Sequence, residues 1–213
     1  MARLKATDQQ PAVYHCISRV VGAQFLLDDL AKEKLAQILL KLAKFCGIQV
    51  ITYCFLSNHF HLLLRLPPRQ DLPDAELLRR LEDFYGKKGV LTVLAREGIE
   101  KRGGIDSDLR QSLLERIGEV SAFMKEFKQR FSRWYNRQHG RFGTLWAERF
   151  KSLLVEDTPG VVRTLAAYID LNPVRAGLVS DPKDSPVLRL HRGVEGGNKG
   201  LQAGLMSCLK PGS

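Results

Sequence analysis

His59-Phe60-His61-Leu62-Leu63-Leu64-Arg65-Leu66, read as HFHLLLRL between Ser57-Asn58 and Pro67-Pro68, decides how this chain folds. Side chains alternate across a strand, so Phe60, Leu62, Leu64 and Leu66 address one face while His59, His61 and Leu63 address the other. The apolar set marks the side that meets the core. Just upstream, Ile48 to Leu56 (IQVITYCFL) is a second β-prone run, and Ser57-Asn58 joins the two as a hairpin. Pro67-Pro68 stops the second strand, because proline offers no N–H to a ladder.

Working outward, Tyr14 to Val21 (YHCISRVV) reads as a first strand. Leu26 to Cys46 carries Leu30, Leu35, Ile38, Leu39, Leu42 and Phe45 at near-helical spacing, with Gly47 in position to end the helix. Downstream, Phe123, Met124, Phe127, Phe131 and Trp134 recur at three and four, which predicts a helix with one buried face from Ser121 to about His139. Leu145 to Glu156 reads as a further strand, and Thr158-Pro159 opens a helix that ends at Asn172-Pro173. Strand, helix, strand, strand, helix, strand, helix is an α+β order. The central hairpin makes the sheet antiparallel, and a ferredoxin-like sheet with helices packed on one face fits. The stretch 67–120 is rich in charge and glycine and holds amphipathic pieces such as AELLRRLEDF, so it reads as a largely helical inserted subdomain. The expected organisation is a discontinuous domain of residues 1–66 and 121–180, the insertion, and a weakly ordered tail at 181–213.

Thirty-three Lys and Arg against 23 Asp and Glu give a formal charge of +10 and a pI near 9.6, which calls for an anionic partner. Nucleic acid comes first and an acidic membrane surface second. No apolar run approaches the roughly 18 to 20 residues that span a bilayer, and the first residues lack the apolar centre of a signal peptide. The expectation is a soluble cytoplasmic protein with no membrane partner. Cys16, Cys46, Cys54 and Cys208 show no C-x-x-C pair; the first three read as reduced, small apolar side chains.

On a strand, His59 and His61 stand about 6 to 7 Å apart at their Cα atoms, a spacing at which both imidazoles reach one metal ion. An H-x-H pair also suits two hydrogen-bonded or exposed side chains, so the metal reading needs a third partner. Tyr168 and Asn172 in YIDLNPVRAG sit one helical turn apart on one face and supply a candidate. The plain alternative makes Tyr168 a core aromatic in line with Val161 and Leu165. Lys125, Lys128, Arg130, Arg133, Arg137, Arg141, Arg149 and Lys151 form a cationic strip interleaved with Trp134, Tyr135, Phe142 and Trp146. That composition suits phosphate contacts beside stacking platforms, although Phe127, Phe131 and Trp146 also fit a buried seam.

The combination of His59-Phe60-His61 at the start of a strand, the basic helix running into RWYNRQHGRFGTLWAERFKS, and YIDLNPVRAG resembles the HUH-type tyrosine transposases. Among these, the REP-associated tyrosine transposases and single-strand insertion-sequence transposases are the most similar. The resemblance covers roughly Tyr14 to Leu66 and Ser121 to Val179. It implies that His59 and His61 are metal ligands, that Tyr168 is the nucleophile, and that Asn172 completes a site for Mg²⁺ or Mn²⁺. It further implies nicking and strand transfer on single-stranded or hairpin DNA through a covalent 5′-phosphotyrosine, by a monomer or homodimer. The long 67–120 segment departs from the family pattern, and Tyr135 stands as a rival nucleophile lacking the Y-x-x-x-N spacing. Two other functions stay open: a catalytically inactive nucleic-acid-binding module on the same fold, and a metal phosphoesterase that uses water in place of tyrosine.

Overall fold

The computed structural model describes residues 10–177; Cys208 and the tail at 181–213 lie outside them. Strand β1 (Ala12–Arg19) leads through a short turn into helix α1 (Asp29–Cys46), and β2 (Gln49–Phe55) and β3 (His59–Leu66) follow as the hairpin. Three helices then intervene, α2 (Asp74–Tyr85), α3 (Val90–Arg102) and α4 (Ser107–Leu114). The chain closes with α5 (Val120–Gln138), β4 (Lys151–Val155), α6 (Pro159–Asp170) and the single turn α7 (Asn172–Arg175). The sheet order is β2-β3-β1-β4 with every neighbouring pair antiparallel, so two split crossovers interleave in the ferredoxin-like manner expected. No described helix is long and apolar enough to cross a membrane.

Register follows from burial. Phe60, Leu62, Leu64 and Leu66 enter the large core together with Tyr14 and Cys16 of β1, Tyr53 and Phe55 of β2, and the inner faces of α1 and α5. Phe60 lies edge-on to both Phe127 and Trp146, at ring separations of 5.5 and 5.3 Å, which pins β3 to α5. Cys16, Cys46 and Cys54 are buried, and burial leads the causes that push the Cys46 and Cys54 thiols up to about 12, so both stay protonated.

The helices do not all share one face, as the sequence suggested they would. α1 and α5 cover the first face, but α6 seats Val162, Ala166 and Ile169 on the second, against Val13, Ile51, Cys54, Leu56 and Leu63. These three recur at four and three residues, an apolar stripe too short to distinguish the two faces from sequence alone. Thr52 Oγ1 donates to Asp170 Oδ1 at 2.5 Å and ties the C-terminal end of α6 to β2.

Two boundaries also shift. Helix α1 starts only after Asp28, whose carboxylate accepts from Ala31 N at 2.8 Å as an N-cap; Leu30, expected in the core, is consequently 55% exposed in the first turn. The strand expected from Leu145 to Glu156 pairs only from Lys151 onward. Upstream, Trp146 makes a single bridge to Val20 and turns its ring into the α5 core, while Lys128 Nζ takes the Glu148 carbonyl at 2.8 Å. A carbonyl and a ring committed to α5 cannot also continue a flat ladder.

The 67–120 segment is helical, as expected, and shares the main core through Leu77, Leu81, Phe84, Ala95 and Leu113. Its dock is polar as well as apolar. Arg80 reaches the Phe45 carbonyl at 3.1 Å and so occupies the C-terminal end of α1. Gly47 ends the helix in the left-handed region at φ 67°, a conformation that other residues rarely adopt, and a β-carbon there would push aside the Arg80 guanidinium at 2.9 Å. Arg116 pairs with Glu126 of α5 and lies 4.4 Å over the Phe45 ring.

Because α6 is held to the sheet by so few side chains, Ile169→Ala should cost about 2–5 kcal/mol, close to the range for a fully buried aliphatic. Val161→Ala on the outer side of the same helix should change stability by less than about 0.5 kcal/mol. Urea unfolding of the two variants measures the difference, and equal costs would show that α6 is not seated by this stripe.

Candidate active site and nucleic-acid groove

The second sheet face carries the histidines. β3 contributes His59 and His61, and β1, paired so that Ile17 opposes His61 and Arg19 opposes His59, contributes His15 one step further along. His61 is 7% exposed and His15 5%, and their rings stack at 5.2 Å with His15 Nε2 3.0 Å from His61 Nδ1. His59 lies edge-on to His61 at 5.1 Å, and its Nδ1 donates to Asn58 Oδ1 at 2.7 Å. The Asn58 bond makes His59 the Nδ1–H tautomer, so its Nε2 keeps a lone pair.

Electrostatics keep this cluster neutral. Burial, followed by the neighbouring positive charge of His15, His59 and Arg19, holds His61 down at about 4. His59 is lowered by burial and then by Arg19, and His15 by burial. Near neutral pH all three imidazoles are therefore unprotonated, as metal ligation requires. Among the described residues no group of three or more His, Cys, Asp or Glu side chains could hold a metal ion. An ion on His59 and His61 would draw its remaining ligands from an amide, water or a bound phosphate. Within that limit the residues fit a divalent ion.

Tyr168 is 42% exposed and Val161 40%, so the tyrosine is not a core aromatic. It projects from the flank of α6, with the Arg175 guanidinium 5.4 Å from its ring. Asn172 lies beyond the end of α6, and its Nδ2 donates to the Tyr168 carbonyl at 3.0 Å, leaving Oδ1 free. Tyr168, on the helix packed against the histidine-bearing sheet face, and Asn172, at the start of α7, are thus brought together, but neither makes a hydrogen bond to the histidines, nor Tyr168 a ring contact with them. The rival Tyr135 is 5% exposed, packed on the other side of the sheet and stacked on His139 at 4.1 Å.

The cationic strip divides. Lys125, Lys128, Arg133 and Arg149 line an open groove of about 900 Å³ between α5 and the 143–150 segment, with Trp146 in its wall. Burial brings Lys128 down to about 8, and its ammonium lies 5.5 Å from the Trp146 ring. Arg130 instead turns to the insertion, paired with Glu126 at 2.8 Å and lying 4.6 Å over Phe84. Arg137 is exposed, Arg141 stands 6.0 Å from the Tyr135 ring, and Lys151 is 3.5 Å from Glu148. Trp146, Phe127 and Phe131 are core, whereas Phe142, flanked by Arg141 and Gly143, is 96% exposed.

Groove and histidines occupy opposite sides of the sheet but the same end of it. Val21 N donates to Leu145 O, and Ala147 N to Arg19 O, both at 3.0 Å, so the groove wall is stitched to the strand end that carries Arg19 beside His59. Sequence reasoning missed His15 and Arg19. The signal was present in YHCISRVV, where Tyr14 and Cys16 facing the core require His15 and Arg19 to face the histidines, but it becomes readable only once β1 is known to pair with β3.

Residues 9–81 match the family of IS200-like transposases. A REP-associated tyrosine transposase, solved bound to a REP hairpin, shares the fold at a TM-score of 0.55 and 16% identity, over 91% of this chain and 88% of that one. A candidate transposase from Deinococcus radiodurans R1 aligns at 16% identity over 80% of this chain and 96% of its own, with a TM-score of 0.36 that carries no argument. No curated protein matches. The resemblance read from the sequence is therefore borne out: residues 9–81 are similar in sequence to IS200-like transposases, and the chain shares its fold with a REP-associated tyrosine transposase over most of its length.

Proposed function

We propose that this protein nicks and rejoins single-stranded or hairpin DNA in the cytoplasm through a covalent 5′-phosphotyrosine on Tyr168, with Mg²⁺ or Mn²⁺ held by His59, His61 and Asn172. The observation that carries the proposal is the pair of imidazoles on one sheet face whose Nδ1 atoms are engaged by Asn58 and His15, which leaves the Nε2 atoms for a ligand. A divalent ion there would neutralise the anionic oxygens of the scissile phosphate and polarise the phosphorus; imidazole ligands favour Mn²⁺ somewhat.

The chain's own residues do the rest. Tyr168 Oη attacks phosphorus and gives up its proton to solvent; the bond to the 3′ oxygen breaks, and that oxygen takes up a proton as a 3′-hydroxyl. The phosphodiester energy is conserved in the tyrosyl ester, so a second 3′-hydroxyl can reverse the step without ATP. Arg19, exposed beside His59, is placed to hold a phosphate next to the reacting one. Lys125, Lys128, Arg133 and Arg149 hold the flanking backbone in the groove, and Phe142 offers an open ring to an unpaired base. A likeness to a protein solved on a REP hairpin supports DNA of this form as the substrate class. The absence of a hydrogen bond or ring contact between Tyr168 and the histidines among the described residues favours one second reading, a metal phosphoesterase with water as nucleophile.

The decisive test is incubation with hairpin-bearing single-stranded DNA and Mn²⁺, followed by denaturing electrophoresis. An adduct that survives denaturant is expected from the wild type and not from Tyr168→Phe, which keeps the ring and should keep the fold. Cleavage without an adduct would install the phosphoesterase reading, and binding without cleavage would leave an inactive DNA-binding module. His61→Ala should abolish cleavage while leaving DNA affinity within a few-fold of wild type.

The groove makes a separate prediction. Replacing Arg133 and Arg149 together by Ala should weaken single-strand binding across sequences and lower the slope of log affinity against log salt by about 1.4, two phosphate contacts at roughly 0.7 each. An unchanged slope in fluorescence anisotropy titrations would place the DNA elsewhere.

A further inference from the structure

We infer that His15 is a positioning residue that sets the tautomer of His61, holding Nδ1–H toward itself so that the His61 Nε2 lone pair faces outward. This rests on the metal-site reading above but is tested apart from it.

The Nδ1 to Nε2 contact of 3.0 Å between His61 and His15 can hold only one proton. If His15 owns it, His61 accepts through Nδ1, must carry its own proton on Nε2, and cannot ligate. If His61 owns it, His15 accepts through Nε2, its proton moves to Nδ1, and His61 Nε2 is a free donor. For two neutral rings in this contact, the choice lies between two tautomers. His59 shows which one the site needs, because Asn58 Oδ1 can only accept and therefore fixes Nδ1–H on His59. A matched pair of Nε2 donors requires His61 to follow suit.

His15 is built for that role and for little else. Its ring is stacked within 22° of the His61 plane and almost fully buried, which fixes both the distance and the tilt of the contact. Across the sheet it is flanked by Leu63 of β3 and Leu153 of β4, which offer no competing hydrogen bond, and along β1 by Val13 and Ile17. Apolar strand positions of this kind take a histidine at a desolvation cost, so a plain packing role would be served better by valine or leucine. The contact is the imidazole counterpart of the carbonyl or carboxylate that ordinarily orients a metal-bound histidine from behind.

The test uses the full chain and two substitutions, His15→Phe, which keeps a ring in the stack and removes both nitrogens, and His15→Gln, whose amide oxygen can accept where Nε2 did. Long-range ¹H–¹⁵N correlation spectra of the metal-free protein at pH 7.5 read the His61 tautomer directly. Wild type and His15→Gln should show His61 as Nδ1–H, and His15→Phe should lose that preference. Calorimetric titration with Mn²⁺ should show affinity down about 10- to 100-fold in His15→Phe and largely restored in His15→Gln. A wild-type His61 protonated on Nε2, or a tautomer unchanged in His15→Phe, would overturn the inference. Wild type that shows the expected tautomer shift and yet binds no Mn²⁺ would sink the metal reading and leave His15 in control of His61. If His15→Phe unfolds, His15→Leu takes its place, and His15→Gln stands as a variant in its own right: loss of the Nδ1–H form despite an acceptor at that position would count against the inference.

Discussion

The alternation of HFHLLLRL is the constraint on which everything else hangs. Four large apolar side chains on one side of β3 are buried in the main core, with Phe60 wedged between Phe127 and Trp146. A one-residue slip would drive His59, His61, Leu63 and Arg65 into that core and expel the aromatic. Such an exchange would desolvate imidazoles and a guanidinium at the expense of several kcal/mol of apolar burial. The register of β3 is thus enforced by packing on the far face, and the polar cluster on the near face inherits a fixed geometry it could not create for itself.

The near face is organised by scarcity. Its core consists of Val13, Ile51, Cys54, Leu56 and Leu63 under three residues of α6, enough to seat one helix but not to close over the whole sheet. The histidines occupy the part that α6 leaves uncovered by apolar contacts, and the same helix carries an exposed tyrosine along its flank. A small hydrophobic patch, with the Thr52 to Asp170 hydrogen bond beside it, holds the element that bears Tyr168. Elements held so lightly open at lower free energy than the core, which suits the proposed role of Tyr168 as a nucleophile that approaches a bound strand and withdraws again.

How much of this was legible in the sequence depends on whether the signal was local. The hairpin, the split crossover order, the inward face of β3 and the helical nature of the 67–120 segment are written in periodicity and in turn residues, and all appear in the structure. The spacing of Tyr168 and Asn172 is likewise local, and both residues lie where the helix places them. What could not be read is relational. His15 becomes a partner of His61 only because β1 lies antiparallel to β3 with Ile17 opposite His61, a pairing separated by more than forty residues of chain. Arg130 carries the same charge and the same helical setting as Arg133, yet Glu126 and the rings of Phe84 and Tyr85 absorb it. The difference comes from the insertion docking on that side of α5. Trp146 and the carbonyl of Glu148 break the expected long strand for the same kind of reason, since both find partners on α5 that local alternation does not reveal.

On the proposed function, the division of the sheet into a binding side and a chemical side follows from the charges themselves. A groove that attracts phosphate must be cationic, whereas imidazoles that are to ligate a divalent ion must be neutral, and added cations nearby lower metal affinity as surely as they raise DNA affinity. Placing Lys125, Lys128, Arg133 and Arg149 across the sheet from His15, His59 and His61 separates the two demands. Arg19 stands between them, on the strand end to which the groove wall is bonded, and adds to the burial that lowers His59. A strand of DNA held by the groove and passing over that end would bring its own negative charge to Arg19.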